Sequence, residues 1–278
     1  PYTTLFRSMK ETDNSKFEIK GIGIGVPNGN YYTGTIEFAP NLKWKGIIDL
    51  AGIVKNEFGM KTVVTNDANA AALGEMKFGD ARHMKNFIMI TLGTGLGSGI
   101  IVNGDLVYGH DGFAGEIGHT TVYPDGRVCG CGKKGCLETY ASVTGIERTV
   151  FELLSIETHP SELRDISFNK LDGKMISDAA DKGDKIALKA FDITGKILGM
   201  KLADSVAHVS PEAIFLFGGL TNAGDLIFKP LKKYLEKHLI PVYKNKVKIL
   251  PSGLQGKNIA VLGASALIWK EMEKAGEN

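Results

Sequence analysis

The amino-acid sequence predicts an α/β protein, from its periodicity, its glycine-bearing strands and its composition. Short apolar stretches rich in β-branched residues alternate with segments of helical period, which is the pattern of strands joined by helices. Two of the apolar stretches run straight into glycines, as GTGLGSG and FGGL, and glycines let a ligand approach the backbone. The 278 residues are 43% hydrophobic, which is enough to bury one large core or two moderate ones.

Charge and hydropathy exclude several classes of partner. The formal net charge of +2 gives no electrostatic case for nucleic acid or an anionic membrane. No apolar run is long enough to span a bilayer. The three cysteines are clustered like metal ligands rather than paired along the chain, which fits a reducing compartment. We therefore expect a cytoplasmic protein with no membrane or nucleic-acid partner.

The predicted elements of the amino-terminal part are a strand, a loop, a helix and a second strand, at residues 17–26, 27–34, 41–59 and 61–65. The second strand leads to Asn66 and Asp67, which open a helix that ends at Gly79. An aspartate at a helix start is most often a cap, so Asp67 is either a cap or a catalytic carboxylate.

A glycine-rich segment follows the apolar strand at 87–92. Its sequence, GTGLGSG at 93–99, can present successive backbone amides to a phosphate. The dinucleotide-binding fingerprint fails, because its third glycine would fall on Ser98 and a strand follows instead of a helix. The segment predicts a β-hairpin turn with phosphate contacts; the alternative is a hairpin without a ligand.

A candidate metal segment holds every cysteine of the chain. His119, Cys129, Cys131 and Cys136 offer one imidazole and three thiolates, and four protein ligands would make a zinc ion structural. The alternative is three reduced thiols in a turn. Such a clamp would also bring two flanking carboxylates together as acceptors for a polyhydroxylated substrate, Glu116 and Glu138.

The carboxyl-terminal half predicts four helical segments and two strands. The helical segments are 137–154, 175–209, 226–238 and 263–275, and the strands are 213–217 and 247–250. The first strand runs into Gly218 and Gly219, which either admit a flat ligand or make a tight turn. Together with a phosphate hairpin, an aspartate after a strand and metal-held acceptors, this set favours phosphoryl transfer to a hydroxyl, with Asp67 as the base.

Five segments give the chain a family resemblance that runs from about Gly21 to the end. They are NDANAAALGE, TLGTGLGSGIIVNGDLVYG, GEIGHT, CGCGKKGCLETYAS and IFLFGGL. With them the sequence resembles the ROK family of bacterial sugar kinases and sugar-responsive repressors, and the glucokinases in particular. The resemblance implies a two-domain actin-like ATPase fold of the ribonuclease H-like type, with the active site in the interdomain cleft.

The resemblance also implies residue roles. Asp67 would be the base on the sugar hydroxyl. The implied sugar contacts are Asn41, Asn66, Glu116, His119 and Glu138. The implied contacts to the ATP phosphates are Thr94, Gly95 and Gly97, with Gly218 and Gly219 beside the adenosine. The implied zinc ligands are His119, Cys129, Cys131 and Cys136. The cofactors would be ATP, Mg²⁺ and structural Zn²⁺, the substrate a hexose, and the assembly a homodimer or homotetramer.

The predicted domain limits place 9–82 and 264–278 in a small domain and 83–263, with the zinc segment 119–136, in a large one. Residues 1–8 read as a translated sequencing adapter, so we expect them to be non-native. The family's opening strand and DxGGT phosphate loop have no counterpart before Phe17. We therefore expect the first phosphate-loop strands to be missing and the chain as written to be impaired in phosphoryl transfer.

Three alternatives remain open. An N-acetylhexosamine kinase, for N-acetylmannosamine or N-acetylglucosamine, would use the same carboxylates and histidine, and the loop 28–33 would decide what lies against the second carbon of the sugar. A ROK-type repressor would carry a DNA-binding segment ahead of the same core. The zinc segment would otherwise be a stability clip in a binding protein.

Overall fold

The computed structural model describes residues 18–39 and 42–276. The strands are β1 (Ile22–Gly25), β2 (Ile36–Glu37), β3 (Ile47–Ile48), β4 (Thr62–Thr65), β5 (Phe87–Leu92), β6 (Leu96–Val102), β7 (Asp105–Leu106), β8 (Ala213–Phe217) and β9 (Lys248–Pro251). The α-helices are α1 (Leu50–Phe58), α2 (Asp67–Phe78), α3 (Val143–Ile156), α4 (Gly173–Asp181), α5 (Lys185–Val209), α6 (Asp225–His238) and α7 (Ile259–Ala275).

A five-stranded mixed sheet forms the larger layer, in the order β7-β6-β5-β8-β9. Strand β5 lies at its centre, antiparallel to β6 and parallel to β8. Its side chains are buried on both faces, which explains its continuous apolar sequence. One core cluster joins β5 and β8 to helices α3 and α5, and a second joins them to α2 and α7.

A smaller unit lies beside this sheet. Strands β1 and β4 pair in parallel, with Gly25 opposite Thr65, so their carboxyl ends meet at the start of α2. Helix α7 packs against α2 and β1. The division into domains stays a prediction, and the prediction for residues 1–8 falls outside the described residues.

The predicted helix at 41–59 is wrong in its first half. Helix α1 begins only at Leu50, because Ile47 and Ile48 form the short strand β3 and pair with β2. Asp49 then caps the helix, since its Oδ1 accepts a hydrogen bond from the Gly52 amide at 2.8 Å.

The long helical segment at 175–209 is two helices instead of one. Helices α4 and α5 are separated at Lys182–Asp184, where the Asp184 side chain accepts hydrogen bonds from the amides of Ile186 and Ala187 and so starts α5. A capping aspartate inside a helical period is easily read as an exposed polar position, which is why periodicity alone merged the two helices.

Two predicted starts shift as well. The segment 137–154 is a short 3₁₀ turn followed by α3, which begins at Val143 after the cap Ser142. Helix α7 begins at Ile259 instead of residue 263. Of the described helices, none combines the length and the apolar character that crossing a membrane would require.

Helix α2 and strand β6 approach each other closely. Strand β6 begins at Leu96, so Gly97 lies within the strand and the hairpin turn is only Gly93–Gly95. A Cβ at Gly97 would lie 2.8 Å from the Ala68 Cβ. The glycine therefore lets the first turn of α2 lie against the hairpin, and this contact places Asp67 beside the hairpin.

Candidate active site and metal centre

One cavity of about 470 Å³ gathers most of the predicted site residues. It lies between the first turn of α2, the turn between β5 and β6, the segment 116–138 and the end of β8. The predicted residues that line it are Asn66, Asp67, Thr94, Gly95, Gly97, Glu116, His119, Glu138 and Gly218. Gly219 does not line it, and Asn41 lies outside the described residues.

Asp67 occupies the first position of α2 and faces this cavity. The preceding Asn66 is the helix cap, and both its Oδ1 and the Asp67 Oδ1 accept from the Ala68 amide at 2.8 Å. Burial raises the pKa of Asp67, and the hydrogen bond from Ala68 opposes this shift in part. Asn66 thus holds the cap position, and the Asp67 carboxylate faces the cavity with a raised pKa, a property suited to a general base.

Glu116 and His119 flank a short 3₁₀ turn, Ile117–His119. The His119 Nε2 lies 3.9 Å from the Glu116 Oε2. Burial raises the pKa of Glu116, the nearby His119 lowers it, and the charges of Asp67 and Glu138 raise it again. Asp67 and Glu138 raise the pKa of Glu116 because all three carboxyl groups face one cavity.

Ser98 is a site residue that sequence reasoning missed. Its hydroxyl donates to the Gly115 carbonyl and accepts from the Ile117 amide at 3.1 Å, on either side of Glu116. Ser98 is buried in the centre of β6, so it fastens the Glu116 turn to the sheet. The signal in the sequence is a single hydroxyl among the glycines and apolar residues of strand β6.

Glu138 connects the metal segment to the hairpin. Its Oε2 accepts from the Leu96 amide at 2.9 Å, and its Oε1 lies 3.6 Å from the Cys129 Sγ. A Cβ at Gly95 would lie 2.3 Å from the Glu138 Oε2. A side chain at position 95 would therefore collide with the Glu138 carboxylate, so the glycine is needed here apart from any contact with phosphate.

The four predicted metal ligands converge. Their ligand atoms lie within 4.8 Å of one another, with 3.7 Å between His119 Nδ1 and Cys129 Sγ and 3.7 Å between the Sγ atoms of Cys131 and Cys136. A Zn–S bond of about 2.3 Å in a tetrahedron separates neighbouring sulfurs by about 3.8 Å. The donor set and its spacing thus fit a closed, structural zinc site.

Burial and ring orientation describe how this set would work. Burial raises the pKa of Cys129 to about 12, so its thiolate forms on metal binding and a proton is released. The two nitrogens of His119 face different partners, Nδ1 towards Cys129 and Nε2 towards Glu116. Nδ1 can bind the metal while Nε2 serves the carboxylate side of the cavity.

The hairpin turn is anchored from behind by α3. The Val143 amide donates to the Gly93 carbonyl at 2.9 Å, and the Thr144 hydroxyl donates to the Thr94 carbonyl at 2.8 Å. These two hydrogen bonds occupy the carbonyls of Gly93 and Thr94 and fix the turn at the cavity wall. Beside the turn, Gly218 has a φ of +112°, and a Cβ there would lie 2.5 Å from the carbonyl oxygen of Leu92, the residue before Gly93.

A second lobe of about 300 Å³ adjoins the cavity and shares Asn28, Glu116 and His119 with it. Its remaining walls are Phe38, Phe113, Gly130 and Cys131. Phe38 is 69% exposed and has a φ of +50°, an unusual conformation for a bulky residue. The lobe thus offers two aromatic walls beyond Glu116 and His119.

Comparison with known proteins identifies the family. A sequence profile of the ROK family matches residues 3–271. The glucokinase of Halalkalibacterium halodurans is 38% identical over 271 residues, which are 95% of this chain and 81% of that protein. The xylose repressor of Caldicellulosiruptor bescii is 32% identical over 272 residues, 98% of this chain and 68% of that protein.

Comparison with solved structures points to the same family as comparison of the sequences. A ROK family glucokinase from Streptomyces griseus, solved in complex with glucose and AMPPNP, aligns with a TM-score of 0.80 and 34% identity, over 95% of this chain and 86% of that chain. The predicted α/β fold of the actin-like ATPase type is confirmed by this neighbour. The chain belongs to the ROK family.

Proposed function

We propose that this protein is an ATP-dependent hexose kinase with glucose as its phosphoryl acceptor. The observation that carries the proposal is the single cavity in which Asp67, Glu116 and Glu138 face a glycine hairpin. Similarity to glucokinases over most of the chain, and to a structure that holds glucose with an ATP analogue, supports it.

We assign distinct tasks to the two sides of the cavity. Asp67 accepts the proton of the attacking hydroxyl, for which its raised pKa is suited. Glu116, His119 and Glu138 hold the other hydroxyls of the sugar. The phosphates would contact the amides of Thr94 and Gly95, since the Gly93 amide donates to the Gly95 carbonyl; Gly97 and Gly218 line the cavity wall beside them. ATP supplies the phosphoryl group and Mg²⁺ offsets its charge.

Steady-state assays of ADP release across glucose, mannose, N-acetylglucosamine and N-acetylmannosamine test this proposal. We expect glucose to give the highest kcat/KM. Release of ADP no faster than that of the Asp67→Asn variant with every sugar would refute it. That result, with sugar binding retained, would favour a sugar-responsive repressor, the activity named for the Caldicellulosiruptor bescii relative.

An N-acetylhexosamine is the second candidate acceptor, and the aromatic lobe favours it. If the sixth hydroxyl of a hexose meets Asp67 and the ring extends towards Glu116 and His119, the second carbon lies at the far side of the ring, next to these two residues. Asn28 belongs to the predicted specificity loop 28–33 and lines both the cavity and the lobe. An acetamido group at the second carbon would therefore point between Phe38 and Phe113.

Truncation of one lobe wall separates the two acceptors. We expect Phe113→Ala to raise the KM for N-acetylglucosamine by roughly 5- to 150-fold, the effect of losing an apolar contact of about 1–3 kcal/mol, and to leave the KM for glucose unchanged. Phe168→Ala removes a half-exposed aromatic that lines neither space and serves as the control. Equal effects on both sugars would remove the lobe from acceptor recognition.

Substitution of Ser98 tests the support of Glu116. We expect Ser98→Ala to raise the glucose KM by roughly 2- to 10-fold with little change in kcat. The substitution removes about 0.5–1.5 kcal/mol of hydrogen bonding that holds Glu116 in place. Glu116 would bind the sugar equally in the ground state and the transition state, so its loss of position should affect KM and not kcat. Ser155→Ala, which removes an exposed hydroxyl on α3, is the control. A fall in kcat at constant KM would contradict this account.

The assembly and the compartment follow the family expectation. We propose a homodimer or homotetramer, which light scattering on a sizing column checks. Three thiol ligands and a requirement for ATP suit the cytoplasm.

A further inference from the structure

The side chain of Arg127 is the most extensively bonded cation in the described part of the chain. It is only 10% exposed, and all five of its N–H donors are used. Nε and Nη2 form a bidentate pair with the Glu152 carboxylate at 2.8 and 2.6 Å. The guanidinium also lies 4.4 Å from the centre of the Tyr140 ring. Such a planar fork fixes geometry in a way that a lysine does not.

The partners of Arg127 lie on three separate pieces of the site. Nη1 donates to the Thr139 carbonyl at 2.6 Å, directly after Glu138, and to the Gly145 carbonyl at 2.9 Å on α3. The Arg127 amide donates to the Tyr140 hydroxyl at 2.9 Å. Arg127 itself belongs to the loop that carries the cysteines. It therefore joins the metal loop, the Glu138 turn and α3.

We propose that Arg127 is a positioning residue for the sugar site and acts through Glu138. This inference rests on the proposed function. The metal ligands hold the segment only as far as Cys136, and Glu138 lies beyond them. The turn that carries Glu138 is held on one side by the Leu96 amide and on the other by the Arg127 guanidinium. The metal thus closes the loop, and Arg127 sets where the adjoining carboxylate points.

The test compares Arg127→Lys with Arg148→Lys in the full chain. Arg148 also reaches from α3 to the metal loop, but with a single hydrogen bond to the Val128 carbonyl at 3.1 Å. For Arg127→Lys we expect a full equivalent of zinc, an unchanged kcat and a glucose KM raised about 10- to 100-fold, the range for residues that support a binding group. The calorimetric Kd for glucose should rise by the same factor. Arg148→Lys should change neither constant.

Three outcomes would overturn the inference. A lower melting temperature with unchanged KM and Kd would make Arg127 merely structural, and zinc loss from Arg127→Lys would mean that it acts through the metal ligands. If Arg127→Lys does not fold, Glu152→Gln weakens the same fork from its exposed side, and an unchanged Kd there has the same force. A wild-type chain that binds glucose without phosphorylating it would refute the proposed kinase function and leave the inference about Arg127 standing. A wild-type chain that binds no hexose would refute both proposals.

Discussion

Replacing Asp67 by asparagine will abolish sugar phosphorylation and leave sugar affinity largely intact. An amide cannot accept the hydroxyl proton, and general-base catalysis contributes about 10²- to 10⁴-fold to a rate. Because we assign the sugar hydroxyls to Glu116, His119 and Glu138, we expect the Kd for glucose to change little. Kinetic assays for kcat and calorimetry for Kd make the comparison.

Asp49→Asn provides a matched control for this substitution. Asp49 also starts a helix and accepts a backbone hydrogen bond, from the Gly52 amide, but it does not line the cavity. We expect its kcat to match that of the wild type. Unchanged turnover in Asp67→Asn would remove Asp67 from the role of base.

The same carboxylate sets a pH dependence of activity. The base must be ionised to accept a proton, so kcat/KM should fall as the pH drops through the pKa of Asp67. Because burial raises that pKa above the value of 3.8 of an unperturbed aspartate, the acidic limb should lie above this value. A pH–rate profile of the wild type measures it, and a limb at or below 3.8 would contradict the assignment.

Stability should respond to Asp67 in the opposite sense to activity. A carboxyl group whose pKa is higher in the folded than in the unfolded chain binds more protons when folded. Its contribution to stability therefore falls as the pH rises from the unfolded-state pKa through the folded-state pKa, and stays low above the folded-state pKa. Asp67→Asn removes this unfavourable charge and keeps an oxygen for the Ala68 amide. Its melting temperature at neutral pH should equal or exceed that of the wild type; a clear decrease would argue against a buried charge.

Replacing Cys131 by serine will release zinc and weaken both folding and sugar binding. Cys131 is the exposed member of the three cysteines, so its substitution removes a ligand without opening a hole in the core. Without the metal, His119 and Glu138 lose the common frame that holds them at the cavity. We expect the glucose Kd to rise by at least about tenfold and the melting temperature to fall.

Metal content, measured by atomic absorption, must accompany these values. Treating the wild type with a chelator and then restoring zinc gives the control, because it changes the metal and no side chain. Recovery of sugar affinity on zinc addition is expected for the wild type and not for Cys131→Ser. Retention of sugar affinity after complete loss of zinc would contradict the structural role of the metal.

The sequence sufficed for those parts of the site that depend on residue type and spacing. The cysteine cluster, the aspartate after β4 and the glycine hairpin were found because each has a local signature, and the structure places them around one cavity. Their roles in catalysis and binding stay predictions until the variants are measured. Gly219 was predicted beside the adenosine together with Gly218, but it does not line the cavity.

The parts that escaped prediction depend on contacts between distant segments. The furthest polar contacts of Ser98 and Arg127 are with Ile117 and Glu152, which lie 19 and 25 positions away along the chain. The start of α1 was missed because the pairing of β3 with β2 overrode its helical period. The break before α5 was missed because a capping aspartate resembles any exposed polar residue.

The close contact of Gly95 with Glu138 has a consequence for engineering donor preference. A library that randomises the turn after β5 to admit another phosphoryl donor would push a side chain into the carboxylate that faces the acceptor. A substitution at Gly95 would then change the selectivity for the phosphoryl donor and for the sugar acceptor at the same time. Variation at Thr94, with Gly95 held constant, is the route by which the two selectivities can be separated.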